Sequence, residues 1–308
     1  MSDSERPSRP LLRPGLAIIA MEQAVQLRAG DEEVFLLHTD APDQVVSVLR
    51  MLDGDCALED VLAVFGDGAS GTKFVGTVID ELVTGGLLLD GCRDEFDSIG
   101  QYFAHFANQP LRMRDELRRC RVATIGGGDI VRLIGDLLGE YDVASTTLTI
   151  DGLSRGIDCD VMVCAWEQPD LSMVYRVNAL VCRALPCMFV DLSHGRHATV
   201  GPFYLPGESS CYRCLRSRLY ENTVDPSQLG AADETMLTDG AALPAYGALP
   251  AHRHQVAAMA CQEVVAKLTG HRALRTINRA ITVDFEQMKT WSEPVWRVPW
   301  CEDCGATG

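Results

Sequence analysis

Between residues 15 and 38 the chain carries three short runs in which apolar and polar positions alternate: GLAIIAM, AVQLRA and EVFLLH, separated by Glu22-Gln23 and Gly30-Asp31. A period of two bounded by turn residues predicts three strands. From Pro42 the period changes. Val45, Val48, Leu49 and Leu52 fall at helical spacing and stop at Asp53-Gly54. Leu58, Val61, Leu62 and Phe65 predict a second short helix. Phe74, Val75, Val78, Ile79 and Leu82 predict a third over about 72–84, and GGLLLD closes the unit. Three strands and three helices over 15–92 make one small domain. The polar, proline-rich residues 1–14 read as a disordered lead-in, and 93–119 as a linker with some helix. Beyond 120, strand-like runs at 122–125, 146–150, 161–165 and 187–191 alternate with helical stretches. That alternation predicts an α/β domain over 120–308, a parallel sheet with helices on its faces.

Composition narrows the functions available. The 308 residues hold 27 Lys/Arg against 43 Asp/Glu, a formal −16, which opposes a polyanionic partner such as nucleic acid or an anionic membrane. No apolar run is long enough to span a bilayer, and the first residues lack a signal-peptide core, so a cytoplasmic protein is expected. Thiols there stay reduced, so the twelve cysteines are not a disulfide framework. Cys159, Cys164, Cys182 and Cys187 stand singly in apolar surroundings and read as small core residues.

Four cysteines form a different pattern. Cys211 and Cys214, then Cys301 and Cys304, are two CxxC pairs. Four thiolates make a closed tetrahedral site, structural rather than catalytic, so Zn2+ is the expected ion. The long separation means that such a site would staple the chain's end onto the domain body. A redox pair is the competing reading, but it needs only one CxxC and a thioredoxin-like context. His194 and His197 in HGRH, and His252 and His254, read as solvated residues rather than ligands. RVATIGGGDIVRLIG (121–135) reads as a strand, a glycine turn and a helix start, the arrangement that cradles phosphate in nucleotide-binding proteins.

Several ordered pieces together carry a resemblance. They are the glycine turn, NALVCRALPCMFVDL (178–192), GPFYLPGESSCYRCL (201–215), EVVAKLTG (263–270) and CEDCG (301–305). Residues 121–304 resemble the ThiF/MoeB family of adenylating enzymes, which implies a Rossmann-type sheet with a structural zinc site. LRPG, MLDG…ALEDVLAVF and VIDELVTGGLLLD resemble the PqqD-related RiPP recognition elements, small winged-helix-like domains that bind leader peptides. The pair resembles the ocin-ThiF-like proteins. That resemblance implies a precursor leader peptide and a YcaO-type cyclodehydratase as partners, in thiazole/oxazole-modified peptide, thiopeptide or bacteriocin biosynthesis. The YcaO partner is the protein that uses ATP to form azolines. A homodimer is compatible with the resemblance but does not follow from the residues.

The chain departs from a working ThiF turn. Gly126, Gly127 and Gly128 are present, but Asp129 would set a carboxylate where phosphates sit, and Val131 adds branched bulk where the backbone must approach. Asp151 could serve a ribose, yet the next strand follows almost at once and leaves no room for a phosphate-binding segment. Ala165-Trp166 stands where active relatives carry a magnesium-binding Asp, with Glu167 and Asp170 as the nearest substitutes. Leu215 to Ala260 contains no cysteine, so thiol transfer by a loop nucleophile is not expected. The segment 222–250 reads as mobile, either ordering on a partner or serving as an ordinary surface loop. The turn 126–128 with Asp151 is thus expected to be vestigial, with no ATP bound and no catalytic residue. The rival is an active ATP-dependent enzyme that adenylates a peptide carboxylate.

Residues 1–95 hold 7 Lys/Arg against 18 Asp/Glu, a formal −11, which opposes the DNA contact a winged helix often makes. Peptide capture fits better. The third strand, about 33–38, would offer a free edge for a leader to extend, with Val34, Leu36, His38, Phe74 and Val78 near the groove. For these residues a plain core role is the competing reading, and the acidic surface would favour a basic leader.

Overall fold

The computed structural model describes residues 6–31, 33–64, 69–107, 109–155, 158–238 and 246–305. The chain divides between Asp115 and Glu116 into two compact units.

In the first unit, β2 (Ala17–Ala20), β3 (Ala24–Ala29) and β4 (Glu33–His38) form an antiparallel sheet in the order β2-β3-β4. Three helices follow: α1 (Pro42–Met51), α2 (Leu58–Val64) and α3 (Ala69–Thr84). α1 begins with Pro42 in its first turn, carries Asp43 at its positive end and Arg50 at its negative end, and buries Val45, Val48 and Leu49 along one stripe. These meet Val25, Leu27, Leu37, Val75, Ile79 and Leu82 in the core. Phe65, expected to extend the second helix, lies outside the described residues.

The disordered lead-in needs correction. β1 (Pro10–Leu12) pairs antiparallel with β5 (Leu88–Asp90), Leu11 is buried, and Arg6 forms a two-bonded ion pair with Asp80. Prolines removed the helical signal there without preventing an edge strand. Residues 1–5 of that expectation lie outside the described residues. The linker reading also changes. α4 (Ser98–Ala104) is capped by Asp97, which accepts from Gly100 N and from the buried Arg114 of α5 (Pro110–Arg119). Phe96 and Ala104 pack with Leu11 and Leu89 in a small second core.

The second unit is built on a seven-stranded mixed sheet, order β12-β11-β10-β9-β8-β6-β7. β6 (Arg121–Gly127), β7 (Ala144–Leu148), β8 (Val161–Trp166) and β9 (Cys187–Asp191) are parallel, as the alternation predicts. β8 is buried at every position, which a central parallel strand covered on both faces requires. The sequence reading placed a strand at 146–150; it ends at Leu148, and Ile150–Arg155 is a 3-10 turn. Three antiparallel strands extend the sheet beyond that reading: β10 (His197–Tyr204), β11 (Arg279–Asp284) and β12 (Lys289–Pro294). The expected parallel sheet is therefore mixed.

The helices of this unit are α6 (Asp129–Glu140), α7 (Leu171–Val181), α8 (Tyr212–Asn222), α9 (Pro226–Thr238) and α10 (Pro250–Thr269). α9 corrects the mobile-loop reading of 222–250. Its buried Asp233 takes both arms of Arg216 and the Tyr220 hydroxyl from α8, which fixes one helix on the other. The remaining residues 239–245 lie outside the described set. α10 is held by the buried Glu263, whose carboxylate accepts from Arg272 Nη1 (2.7 Å), Arg275 N (2.8 Å), Thr276 N (2.9 Å) and Thr276 Oγ1 (2.7 Å). Substituting Glu263→Ala strands these donors and is expected to cost about 3 kcal/mol of stability, read as a lower urea midpoint of the full chain.

Candidate functional site

The strand order reverses at β6, with β7 on one side and β8 on the other, and the glycine turn follows β6 at that point. In open α/β sheets this is where ligands bind. Gly128 is the N-cap of α6, with φ 97°, and offers no side chain to the helix's free N–H groups. The acceptor comes instead from the end of β8. Glu167 Oε1 accepts from Ile130 N at 2.7 Å. Arg253 of α10 clamps the same carboxylate from outside, with Nε 3.0 Å from both oxygens and Nη2 2.8 Å from Oε2. The chain's own carboxylate therefore occupies a position where a phosphate could accept from a helix N-terminus.

The glycines fit this arrangement. A Cβ on Gly128 would meet Glu167 Cδ at 2.7 Å, and one on Gly126 would meet the Ala165 carbonyl oxygen at 1.7 Å. Both are required by packing inside the protein, without reference to any ligand. Asp129 is exposed in the first turn of α6, so it is not the carboxylate over the turn, as the sequence reading had it. Val131 points into the core at 5% exposure and does not obstruct the turn. Asp151 lies exposed on the 3-10 turn. A cavity of about 330 Å³ remains above Gly127 and Gly128, walled by Glu167, Gln168, Gly247 and Arg253.

The four cysteines converge. Their Sγ atoms lie within 4.8 Å of one another, with Cys211 3.9 Å from Cys214 and 3.6 Å from Cys301, and Cys214 3.4 Å from Cys304. Tetrahedral thiolates about 2.3 Å from a metal have edges of roughly 3.8 Å, so this set fits an ion. Backbone Val298 N points at Cys214 Sγ (3.3 Å), and Asn178 Nδ2 at Cys211 Sγ (3.5 Å). Asn178 is fully buried; it also donates to Asp303 (2.6 Å) and accepts from Tyr212 N (2.8 Å), joining both CxxC turns to α7. Of the singly placed cysteines, Cys164 and Cys187 are core residues, and burial pushes their thiols well above the ordinary pKa, while Cys159 and Cys182 are half-buried against the same core.

Within the first unit, β4 is an edge strand of its sheet among the described residues. Val34 and Leu36 are 42% and 49% exposed, and His38 lies exposed on the same face. Phe74 is half-buried against the core and Val78 is buried within it, because both lie on the α3 stripe with Val75, Ile79 and Leu82. The strand residues are thus available to a partner. Val78 is a core residue and is not presented to one.

Sequence reasoning missed the role of Asn178, the Glu167–Arg253 pair and the Asp191–His194 pair. At the end of β9, Asp191 accepts from Ser193 N (2.9 Å) and Ser193 Oγ (2.6 Å), and lies 3.3 Å from His194 Nε2. Burial works to raise the Asp191 pKa, but His194 and Ser193 outweigh it and hold it below the usual range. The hydrogen bond to Asp191 raises His194 against its desolvation. His197 pairs similarly with Asp284 at 3.4 Å, and His252 stacks on Phe285 at 3.9 Å, so neither is grouped with other metal-binding side chains.

No protein-family model matches the chain, and no curated protein matches it in sequence. Solved structures do match. The fold is similar to part of a structure described as a heterocyclase in complex with substrate and cofactor (TM-score 0.75, 19% identity, 96% of this chain and 39% of that one). The heterocyclase TruD matches similarly (TM-score 0.75, 19% identity, 97% and 43%). A third match is MccB of E. coli (TM-score 0.62, 13% identity, 96% and 97%). This chain spans about two fifths of the heterocyclase length and nearly all of MccB. The likeness defines the fold: a mixed α/β chain of ThiF/MoeB-like architecture.

The Asp191–His194 pair makes a pH prediction. A raised His194 pKa contributes stability fully below the free-histidine value of about 6.5, and loses it as pH rises through the folded value. A lowered Asp191 pKa contributes above the ordinary carboxylate range and loses it as pH falls through its own folded value. In an NMR titration His194 is expected to have its midpoint above about 6.5, and Asp191→Asn to bring it down. A His194 midpoint unmoved by that substitution contradicts the pairing.

Proposed function

We propose that this protein holds the leader of a ribosomally made precursor peptide and delivers it to a separate YcaO-type cyclodehydratase. That enzyme would form azolines and azoles, as in thiazole/oxazole-modified peptides or thiopeptides. The observation that carries the non-adenylating part is the Glu167 carboxylate bonded into α6 and clamped by Arg253. A triphosphate at that turn would have to displace the carboxylate or lie against a like charge. The free edge of β4, with Val34 and Leu36 exposed, supports leader capture by strand addition. Delivery would act by raising the effective concentration of the core peptide at the partner's site. No helix among the described residues is long and apolar enough to cross a membrane, which is consistent with a cytoplasmic role.

A second reading has one observation in its favour. MccB structures match over nearly the full length of both chains, including one described as the microcin C7 biosynthetic enzyme in complex with N-formylated MccA. An adenylating enzyme acting on a peptide carboxylate is the function that likeness would suggest. The clamped Glu167 weighs against it.

The two readings separate by calorimetry with MgATP and by pyrophosphate exchange with candidate precursors. The delivery reading expects neither binding nor exchange. It also expects leader affinity in a fluorescence titration to fall by more than about tenfold in Leu36→Glu. Micromolar ATP binding with peptide-dependent exchange would sink it.

The four-cysteine set is proposed to hold one structural zinc, which would tie the Cys301–Cys304 turn to α8. Elemental analysis is expected to find one zinc per chain. Cys214→Ser is expected to lose it and to lower the thermal midpoint by about 10 °C.

A further inference from the structure

A second cavity, of about 490 Å³, opens at the ends of β8 and β9, between α7, α8 and α9. Its walls are mostly apolar: Leu171, Val174 and Met236 are nearly fully buried, and the Trp166 and Tyr212 rings meet edge to face at 5.4 Å. Trp166 is 3% and Tyr212 6% exposed. A buried indole N–H or phenol hydroxyl normally has a hydrogen-bond partner. Neither the Trp166 N–H nor the Tyr212 hydroxyl has one among the described residues, and both residues line the cavity. Neither atom is sealed from solvent, so both donors are open to a ligand that enters this mostly apolar space.

The charged groups around the cavity are already matched. Asp191 is paired with His194 and bonded by Ser193; Arg216 is paired with Asp233; Asp170 caps α7 by accepting from Met173 N. Among the described residues, the cations lining the cavity, Arg216 and His194, each have a carboxylate partner, and Asp170 is engaged at the positive end of α7. The ligand that satisfies such a site is neutral, with a bulky apolar body and hydrogen-bond acceptors at its edge.

We infer that this cavity binds one bulky apolar residue of a peptide, whose amide carbonyls accept from Trp166 Nε1 and the Tyr212 hydroxyl. The inference rests on the reading that the protein handles a peptide, and gives that peptide a second point of attachment besides β4. It would set a preference for a large uncharged side chain at one position of the substrate.

The test uses the zinc-loaded full chain labelled with 15N. The Trp166 indole resonance is assigned by its loss in Trp166→Phe, and N-acetyl-phenylalaninamide is the probe. The inference expects a saturable shift of that one resonance. Tyr212→Phe, which keeps the ring and removes the hydroxyl, is expected to weaken the probe by roughly three- to tenfold. Ala232→Phe, which fills the cavity from its half-buried rim, is expected to abolish the shift. An unmoved Trp166 indole overturns the inference. So does equal binding of hydrocinnamate or phenethylammonium, or indifference to Tyr212→Phe. Leader binding sensitive to Leu36→Glu is measured on the same samples. Intact leader binding with a silent indole removes the cavity inference alone. A shifted indole without leader binding removes the delivery reading and leaves the cavity's ligand class standing.

Discussion

The bond from Ile130 N to Glu167 joins the start of α6 to the end of β8 in the second unit's sheet. A helix that starts directly after a parallel strand presents free N–H groups and a partial positive charge at the centre of the sheet's edge. Something anionic has to answer them. In a nucleotide-binding protein the answer arrives with the ligand. Here it is built into the next strand of the sheet, and several other features follow from it. Gly128 is required because Glu167 lies where its Cβ would be. Arg253 is placed on α10 to balance a carboxylate that would otherwise sit partly buried and alone. Asp129, exposed in the first helical turn, adds to the same compensation of the dipole.

The sulfur cluster sets the second constraint. Four thiols buried in one place are poorly served by the apolar core around them unless an ion is present. Asn178 makes the cluster part of the fold rather than an appendage, since one side chain meets a cysteine sulfur, the start of α8 and Asp303. Tyr212, which follows the first of these cysteines, is thereby fixed both in backbone and in ring position. The cavity wall it forms is thereby anchored beside the cysteine turn.

What was legible in the sequence follows the range of the interactions involved. The β2–β4 meander, α1 and the β6 turn were readable because their periods are local. The cysteine set was readable because its spacing is distinctive even across a gap. β12 was not, since all six of its residues are exposed and carry no apolar alternation. β1 was hidden by prolines and makes sense only opposite Leu88–Asp90. The Glu167–Arg253 pair joins residues 86 apart, and no local pattern marks it. Asp129 drew attention as the nearest acid in sequence, whereas the strand register places Glu167 against the turn, with Trp166 paired to Gly127.

That same register sets two different environments side by side at one sheet edge. Trp166 and Glu167 are adjacent at the end of β8, and neighbouring side chains there point in opposite directions. Glu167 turns toward α6 and accepts from Ile130 N at the start of that helix. Trp166 turns toward α7 and α8 and lines the mostly apolar cavity beside them. The two environments are independent in chemistry but coupled in geometry. The carboxylate that fills the helix N-terminus fixes the strand end from which the indole projects. On the inference drawn above, the charges around this cavity are taken up by one another, and what it offers a ligand is shape and two donors. Under the proposed function, those properties suit recognition of a substrate.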